Sequence, residues 1–152
     1  MYRLLGENHL LGDLPFSAQV FLRALDGVRN RLAAESNLTN TELRALSRVA
    51  ESSGLDCSTL GSFLEHDLNA TTDIVYTLLN KGLMTASSVE LEGSTSLRLS
   101  AEGHALIATT YEEFQRAINE AAESLDADRL AGFQSGMLKM ARKLEAQPAQ
   151  QS

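Results

Sequence analysis

Leu60-Gly61-Ser62-Phe63-Leu64-Glu65-His66-Asp67-Leu68-Asn69-Ala70-Thr71-Thr72-Asp73-Ile74-Val75-Tyr76-Thr77-Leu78-Leu79-Asn80-Lys81-Gly82-Leu83-Met84 places two apolar clusters on either side of a polar break. Leu60, Phe63 and Leu64 have the spacing of one helical face, which predicts a short helix near Ser58 to Glu65. Asp67 or Asn69 can cap the next helix, whose Ile74, Val75, Leu78 and Leu79 lie on one side. Gly82 suits a left-handed cap at its end.

Beyond Gly82 the period changes. Leu83 to Leu91 and Ser96 to Leu99 read as extended segments joined by the turn Glu92-Gly93-Ser94-Thr95, a β-hairpin. Alternation puts Leu97 and Leu99 on one face and Arg98 on the other. Upstream, Thr39-Asn40-Thr41-Glu42 is a capping box for a helix through Leu43, Leu46 and Val49, which Ser52-Ser53-Gly54 ends. Before it, Phe21, Leu25, Val28 and Leu32 form an apolar stripe on a helix over 16–35. Asp13 and Pro15 mark its start, and Ser36 and Asn37 interrupt it. After the hairpin, Ser100 caps a helix with the stripe Gly103, Leu106, Ile107, Thr110, Phe114, Ile118 and Ala121. Asp126 caps a last one with Leu130, Phe133, Met137, Met140 and Leu144. The order is four helices, a hairpin and two more helices, so the fold is mainly α and its middle has the elements of a winged helix. The terminal helices are longer than that domain's own core requires. Their apolar stripes call for a partner surface, most simply a second copy of the chain related by a twofold axis.

The chain has 152 residues, 43% of them apolar and 22% charged, as expected of one globular domain. Aromatic content of 5% without Trp argues against a base-stacking platform. No stretch approaches the ~20 apolar residues of a membrane span. Met1 to Leu14 lacks the apolar centre of a signal peptide, so a cytoplasmic location is expected. The single cysteine, Cys57, excludes an internal disulfide framework. The polar residues Gln147 to Ser152 read as a frayed tail. A net charge of -7 disfavours nucleic-acid binding by the surface as a whole, though a local basic site is compatible with it.

Three segments together resemble the MarR family of bacterial transcription regulators. They are Leu38-Thr39-Asn40-Thr41-Glu42-Leu43, the Leu60–Met84 stretch with its Leu-x-x-Lys-Gly-Leu ending, and Leu97-Arg98-Leu99-Ser100-Ala101-Glu102-Gly103. Each is short; their order and spacing make the case, over roughly residues 16–145. The resemblance implies a single domain over 1–152, with dimerisation helices at 16–36 and 100–146 and a winged helix-turn-helix at 39–99. The tail at 147–152 would be flexible. It also implies a homodimer on a double-stranded DNA operator. A recognition helix of roughly Leu68 to Lys81 would enter each major groove and the hairpin wing an adjacent minor groove. Many members are repressors released by a small phenolic ligand or by thiol oxidation, so a small aromatic ligand between the dimer helices and the winged domain is a further expectation.

On such a helix, Asn69, Thr71, Thr72, Asp73, Tyr76 and Thr77 are not obviously claimed by the core. Asn can read adenine, and Thr can donate to a phosphate or touch a thymine methyl. Equally, Asn69, Thr71 and Thr72 can simply cap and solvate the helix start. Charge departs from the family pattern. Between Leu55 and Leu97 there is one basic residue, Lys81, against six acids: Asp56, Glu65, Asp67, Asp73, Glu90 and Glu92. Where the resemblance implies basic residues on the recognition helix and an Asp-x-Arg wing tip, this chain has Asp73 and Glu92-Gly93-Ser94-Thr95. Phosphate neutralisation supplies most sequence-independent affinity. Arg98 is then the best phosphate contact, with Arg44 and Arg48 as further sources of charge. The same imbalance supports an alternative, a protein of this fold that has lost or altered DNA binding and acts through a protein partner.

Other chemistry finds little footing. Cys57 opens the third helix beside Asp56; the helix end lowers a thiol pKa and the acid opposes it, so an ordinary structural cysteine is the better reading. His9, His66 and His104 lack metal-pair spacing, and neither metal nor cofactor is expected. No glycine-rich phosphate loop or nucleophile elbow is present, so an enzyme is not expected. Glu112 and Glu113 suit a solvated helix face, and Met137 and Met140 suit a core or dimer stripe.

Overall fold

The structure, a computed structural model, describes residues 9–146, with side chains from Leu14 onward. The readings that concern Met1–Asn8 and Gln147–Ser152 lie outside the described residues. Six helices and one hairpin follow in the expected order: α1 (His9–Glu35), α2 (Asn40–Glu51), α3 (Cys57–Leu64), α4 (Leu68–Asn80), β1 (Met84–Ala86), β2 (Leu97–Leu99), α5 (Ala101–Ala122) and α6 (Ala127–Glu145). None of the described helices is long and apolar enough to cross a membrane. The chain divides into two compact units, one up to Phe114 and one from Gln115 onward, so the boundary falls inside α5.

Local chemistry sets most helix starts. Thr39 Oγ1 accepts the Glu42 N–H at 3.1 Å, and the Glu42 carboxylate accepts the Thr39 N–H at 3.1 Å, which completes the capping box of α2. Asp56, Asp67 and Asp126 cap α3, α4 and α6 by accepting the N–H of the residue three positions on. Gly82, at φ +71°, ends α4 in the left-handed region. Two elements differ from expectation. α1 is already helical at His9, the first described residue, and contains Pro15 instead of starting beside it. Pro15 removes one rung of the backbone ladder, a defect that a helix of 27 residues absorbs.

The hairpin is also shorter than the expected strands Leu83–Leu91 and Ser96–Leu99, with three residues in each. It is antiparallel, pairing Met84 with Leu99, Thr85 with Arg98 and Ala86 with Leu97. Past Ala86, side-chain hydroxyls compete for the backbone groups a ladder would use. Ser87 Oγ accepts the Ser96 N–H at 3.0 Å, Ser88 Oγ donates to the Glu90 carbonyl at 2.6 Å, and Thr95 Oγ1 accepts the Glu92 N–H at 2.8 Å. Leu97 and Leu99 are buried and Arg98 is exposed, as alternation predicts.

In the first unit, Leu43, Leu46 and Val49 of α2 meet Leu60 and Leu64 of α3, Val75 and Leu78 of α4, and Leu83, Leu97 and Leu99 around the hairpin in one buried cluster. Each such side chain contributes about 1.5–3 kcal/mol of burial. The segment before α3 joins the hairpin through β2: the Gly54 N–H donates to the Leu97 carbonyl at 3.1 Å and the Leu97 N–H to the Leu55 carbonyl at 2.8 Å. α1 behaves differently. It buries Leu32 and Ala33 near its end, yet leaves Phe16, Val20 and Leu22 exposed at 68%, 48% and 59%. In the second unit α6 buries no residue, and Leu130, Phe133, Met137, Met140 and Leu144 of its apolar stripe are exposed.

Candidate nucleic-acid interface

The helix-turn-helix is α3, the turn Glu65-His66-Asp67, and α4. Glu65 adopts φ +58°, and the His66 N–H returns to the Gly61 carbonyl at 2.9 Å, so α3 stops abruptly and the chain reverses into the Asp67 cap. Gly61 allows the two helices to meet. A Cβ there would lie 2.8 Å from Thr71 Oγ1 and 3.0 Å from the His66 carbonyl oxygen. Thr71 fills this joint. It is fully buried, and its hydroxyl donates to the Asp67 carbonyl at 2.7 Å. Of the residues singled out on α4, Thr71 therefore belongs to the packing between the helices.

The others lie along the accessible side of α4. Asn69 and Asp73 are exposed, and Thr72 and Thr77 are half-buried. Both threonine hydroxyls donate back to their own helix, Thr72 to the Asn69 carbonyl and Thr77 to the Asp73 carbonyl, each at 2.9 Å. With their protons so engaged, these hydroxyls have acceptor lone pairs and methyl groups left to offer. Asn69 offers a side-chain amide that can donate and accept together. Tyr76 is 42% exposed, and its hydroxyl accepts the Leu91 N–H at 3.4 Å, a long bond that links α4 to the wing.

The other helix start near this face is closed to ligands. The Cys57 N–H donates to the Thr95 carbonyl at 3.1 Å and the Ser58 N–H to the Gly93 carbonyl at 2.9 Å. The Thr59 N–H is taken by Asp56 Oδ1 at 2.7 Å and the Leu60 N–H by the Asp56 carbonyl at 3.0 Å. The four amides of the first turn of α3 are thus satisfied within the chain, and the wing supplies two of the acceptors. Those hydrogen bonds from Thr59 hold the Asp56 carboxyl below its ordinary range. Cys57 is fully buried, and burial, then the Asp56 charge, pushes its thiol above the usual value. This is the environment of an inert, structural cysteine.

Charge on the winged region is engaged internally. Arg44 and Arg48 of α2 both lie over the Phe63 ring, at 5.5 and 5.2 Å, and Arg48 also pairs with Glu51 at 3.1 Å. Lys81 pairs with Glu42 at 2.8 Å. Among the described residues from Leu38 to Ser100, Arg44 and Arg98 are the cations without a carboxylate partner. Sequence reasoning found Arg98 by alternation but missed the Lys81–Glu42 pair, whose members stand 39 residues apart. It also missed the Gly61–Thr71 joint, for which the glycine in a short apolar helix was the available signal.

No family model matches this chain, and neither does any curated protein. Solved structures do. A MarR family protein from Bacillus stearothermophilus is similar with a TM-score of 0.80 at 19% identity, covering 93% of this chain and 99% of that one. The multiple antibiotic-resistance repressor MarR from Listeria monocytogenes is similar with a TM-score of 0.73 at 17% identity, over 94% of this chain and 100% of that one. MepR, a transcription regulator of the Staphylococcus aureus multidrug efflux pump MepA, gives a TM-score of 0.72 at 14% identity, over 86% and 97%. The chain has the winged helix-turn-helix fold of the MarR regulators.

Proposed function

We propose that this chain, built on the MarR winged-helix fold, is a DNA-binding transcription regulator that acts as a homodimer in the cytoplasm and has no catalytic role. The observation that carries the reading is α4 itself. Behind a tight left-handed turn and an Asp67 cap, it presents Asn69, Thr72, Asp73, Tyr76 and Thr77 on its accessible side, with Arg98 exposed on β2, the second strand of the wing. Asn69 suits an adenine edge, the threonine methyls suit thymine, and Arg98 suits a backbone phosphate. Thr71 acts from inside the joint, where it orients the helix. The exposed apolar residues of α1 and of α6 support burial against a second copy. A small aromatic ligand held between the dimer helices and the winged domain would release the DNA.

Selection from a randomised duplex pool at low salt and micromolar protein tests this. A recovered two-half-site sequence is expected, and recovery of none would remove the reading. Salt dependence gives a second check. The two cations of each winged region that lack a carboxylate partner, Arg44 and Arg98, give the two winged regions of a dimer about four phosphate contacts, so if that region carries the binding log K should fall against log salt with a slope no steeper than about −4.

One observation favours a second reading. The exposed acids Asp73, Glu90 and Glu92 share the winged region with very few unpaired cations. A protein partner with a basic surface would suit that charge better than DNA does. Failure of the duplex selection, together with salt-sensitive binding to such a partner, would support it.

A further inference from the structure

Lys81 is the one basic residue between Leu55 and Leu97, and by position alone it would be taken for a phosphate contact. Its surroundings point elsewhere. Lys81 is the C-cap of α4, and its ammonium donates to Glu42 Oε2 at 2.8 Å and to the Asn37 carbonyl at 2.9 Å. Asn37, at φ +55°, is the left-handed residue that ends the α1 segment. The same Glu42 oxygen accepts the Thr39 N–H of the α2 capping box. Lys81 therefore closes α4 with its backbone, while its ammonium reaches the carbonyl just past the end of α1 and the carboxylate that caps α2. Carbonyl dipoles at helix C-termini favour a cation there, and the carboxylate, with only 11% of its side chain exposed, needs one.

We infer that Lys81 is a positioning residue: with Glu42 and the Asn37 carbonyl it forms a clasp that fixes the end of α4 to the end of α1, and it does not touch DNA. Any tilt of α1 is then carried to the reading helix through this clasp. The effect on DNA rests on the function proposed above; the clasp itself does not.

The two parts are tested separately on the full chain, with Lys81→Met, Glu42→Gln and the double variant. Amide exchange is the first measurement and needs no DNA. Asn37–Leu38 and Lys81–Gly82 are expected to exchange faster together in each single variant, with the double variant no faster than Lys81→Met. Unchanged exchange, or effects that simply add, overturns the clasp. Glu42→Gln is the milder change, because it leaves no buried carboxylate uncompensated, and it keeps the test readable if Lys81→Met folds poorly. Operator binding across a salt series is the second measurement. Lys81→Met should weaken binding about tenfold with the salt slope unchanged. A slope reduced by about 0.9 for each lysine removed would mean that Lys81 contacts phosphate and would overturn the assignment. Undiminished affinity would equally remove the positioning role. A wild-type protein that selects no duplex refutes the DNA reading and the positioning role with it, while the exchange result still decides the clasp.

Discussion

Replacing Gly103 by alanine sets two physical effects against each other with opposite signs. Gly103 lies in the first turn of α5, where alanine is favoured over glycine by about 1 kcal/mol in helix propensity. A Cβ at this position would, however, stand 2.0 Å from the Leu83 carbonyl oxygen and 3.0 Å from its carbon. An ordinary C···O contact needs about 3.3 Å, so α5 would have to withdraw by more than ~1 Å. The obstacle is backbone and cannot rotate away. The Leu83 oxygen accepts the Ser100 N–H at 3.1 Å, while Ser100 Oγ donates to the Gly82 carbonyl at 2.6 Å and accepts the Gly103 N–H at 3.0 Å. Withdrawal strains the two bonds that cross to Gly82 and Leu83. Overpacking at about 1–3 kcal/mol and two weakened hydrogen bonds at about 1 kcal/mol each exceed the propensity gain and leave a net loss of roughly 2–4 kcal/mol. With a urea m-value of about 2 kcal/mol/M, the midpoint should fall by about 1–2 M. Urea unfolding followed by far-ultraviolet circular dichroism at fixed protein concentration measures this. A midpoint equal to or above wild type would refute the reasoning, since propensity alone predicts that result. Gly27→Ala is the control: its Cβ meets nothing within 4 Å, and a gain of about 0.5–1 kcal/mol is expected.

Gly61→Ala should cost about 1–2 kcal/mol by pressing on Thr71 Oγ1 and the His66 carbonyl, with a smaller cost in a Thr71→Ala background, read from the same urea curves. Removing the α4 cap by Asp67→Ala should cost about 1 kcal/mol and speed amide exchange at Ala70. The buried Cys57 thiol should resist an aromatic disulfide reagent at pH 8 in the native protein and react fully in denaturant; rapid native reaction would contradict its burial. Its folded pKa is raised, so the linked stability is present below the ordinary thiol pKa of 9.0 and is lost as pH climbs past it. Cys57→Ser should flatten that alkaline decline.

What could be read directly from the sequence was local. The Thr39–Glu42 box, the Asp67 and Asp126 caps, the Ser100 cap and the Gly82 stop each depend on residues within one helical turn, and all stand where the sequence put them. Leu97 and Leu99 followed from a period of two. What escaped depended on distant partners. The burial of Thr71 is set by a glycine ten residues earlier on another helix. The pairing of Lys81 escaped because Glu42 is remote in the chain. The strands shortened because hydroxyls at Ser87, Ser88 and Thr95 outcompeted the ladder, a contest that apolar alternation does not register. α1 exceeded its expected span by at least the seven residues His9 to Pro15, because a single proline costs a long helix only one rung.

The scarcity of unpaired cations around α4 bears on how such a regulator would find its target. Sliding along a chromosome requires a loose, sequence-blind grip, and that grip comes from cations laid against phosphate. A winged region with only two to spare would hold random DNA too briefly to travel along it. It would search by repeated collisions from solution, and its occupancy would follow its own copy number more closely than the amount of competing chromosome.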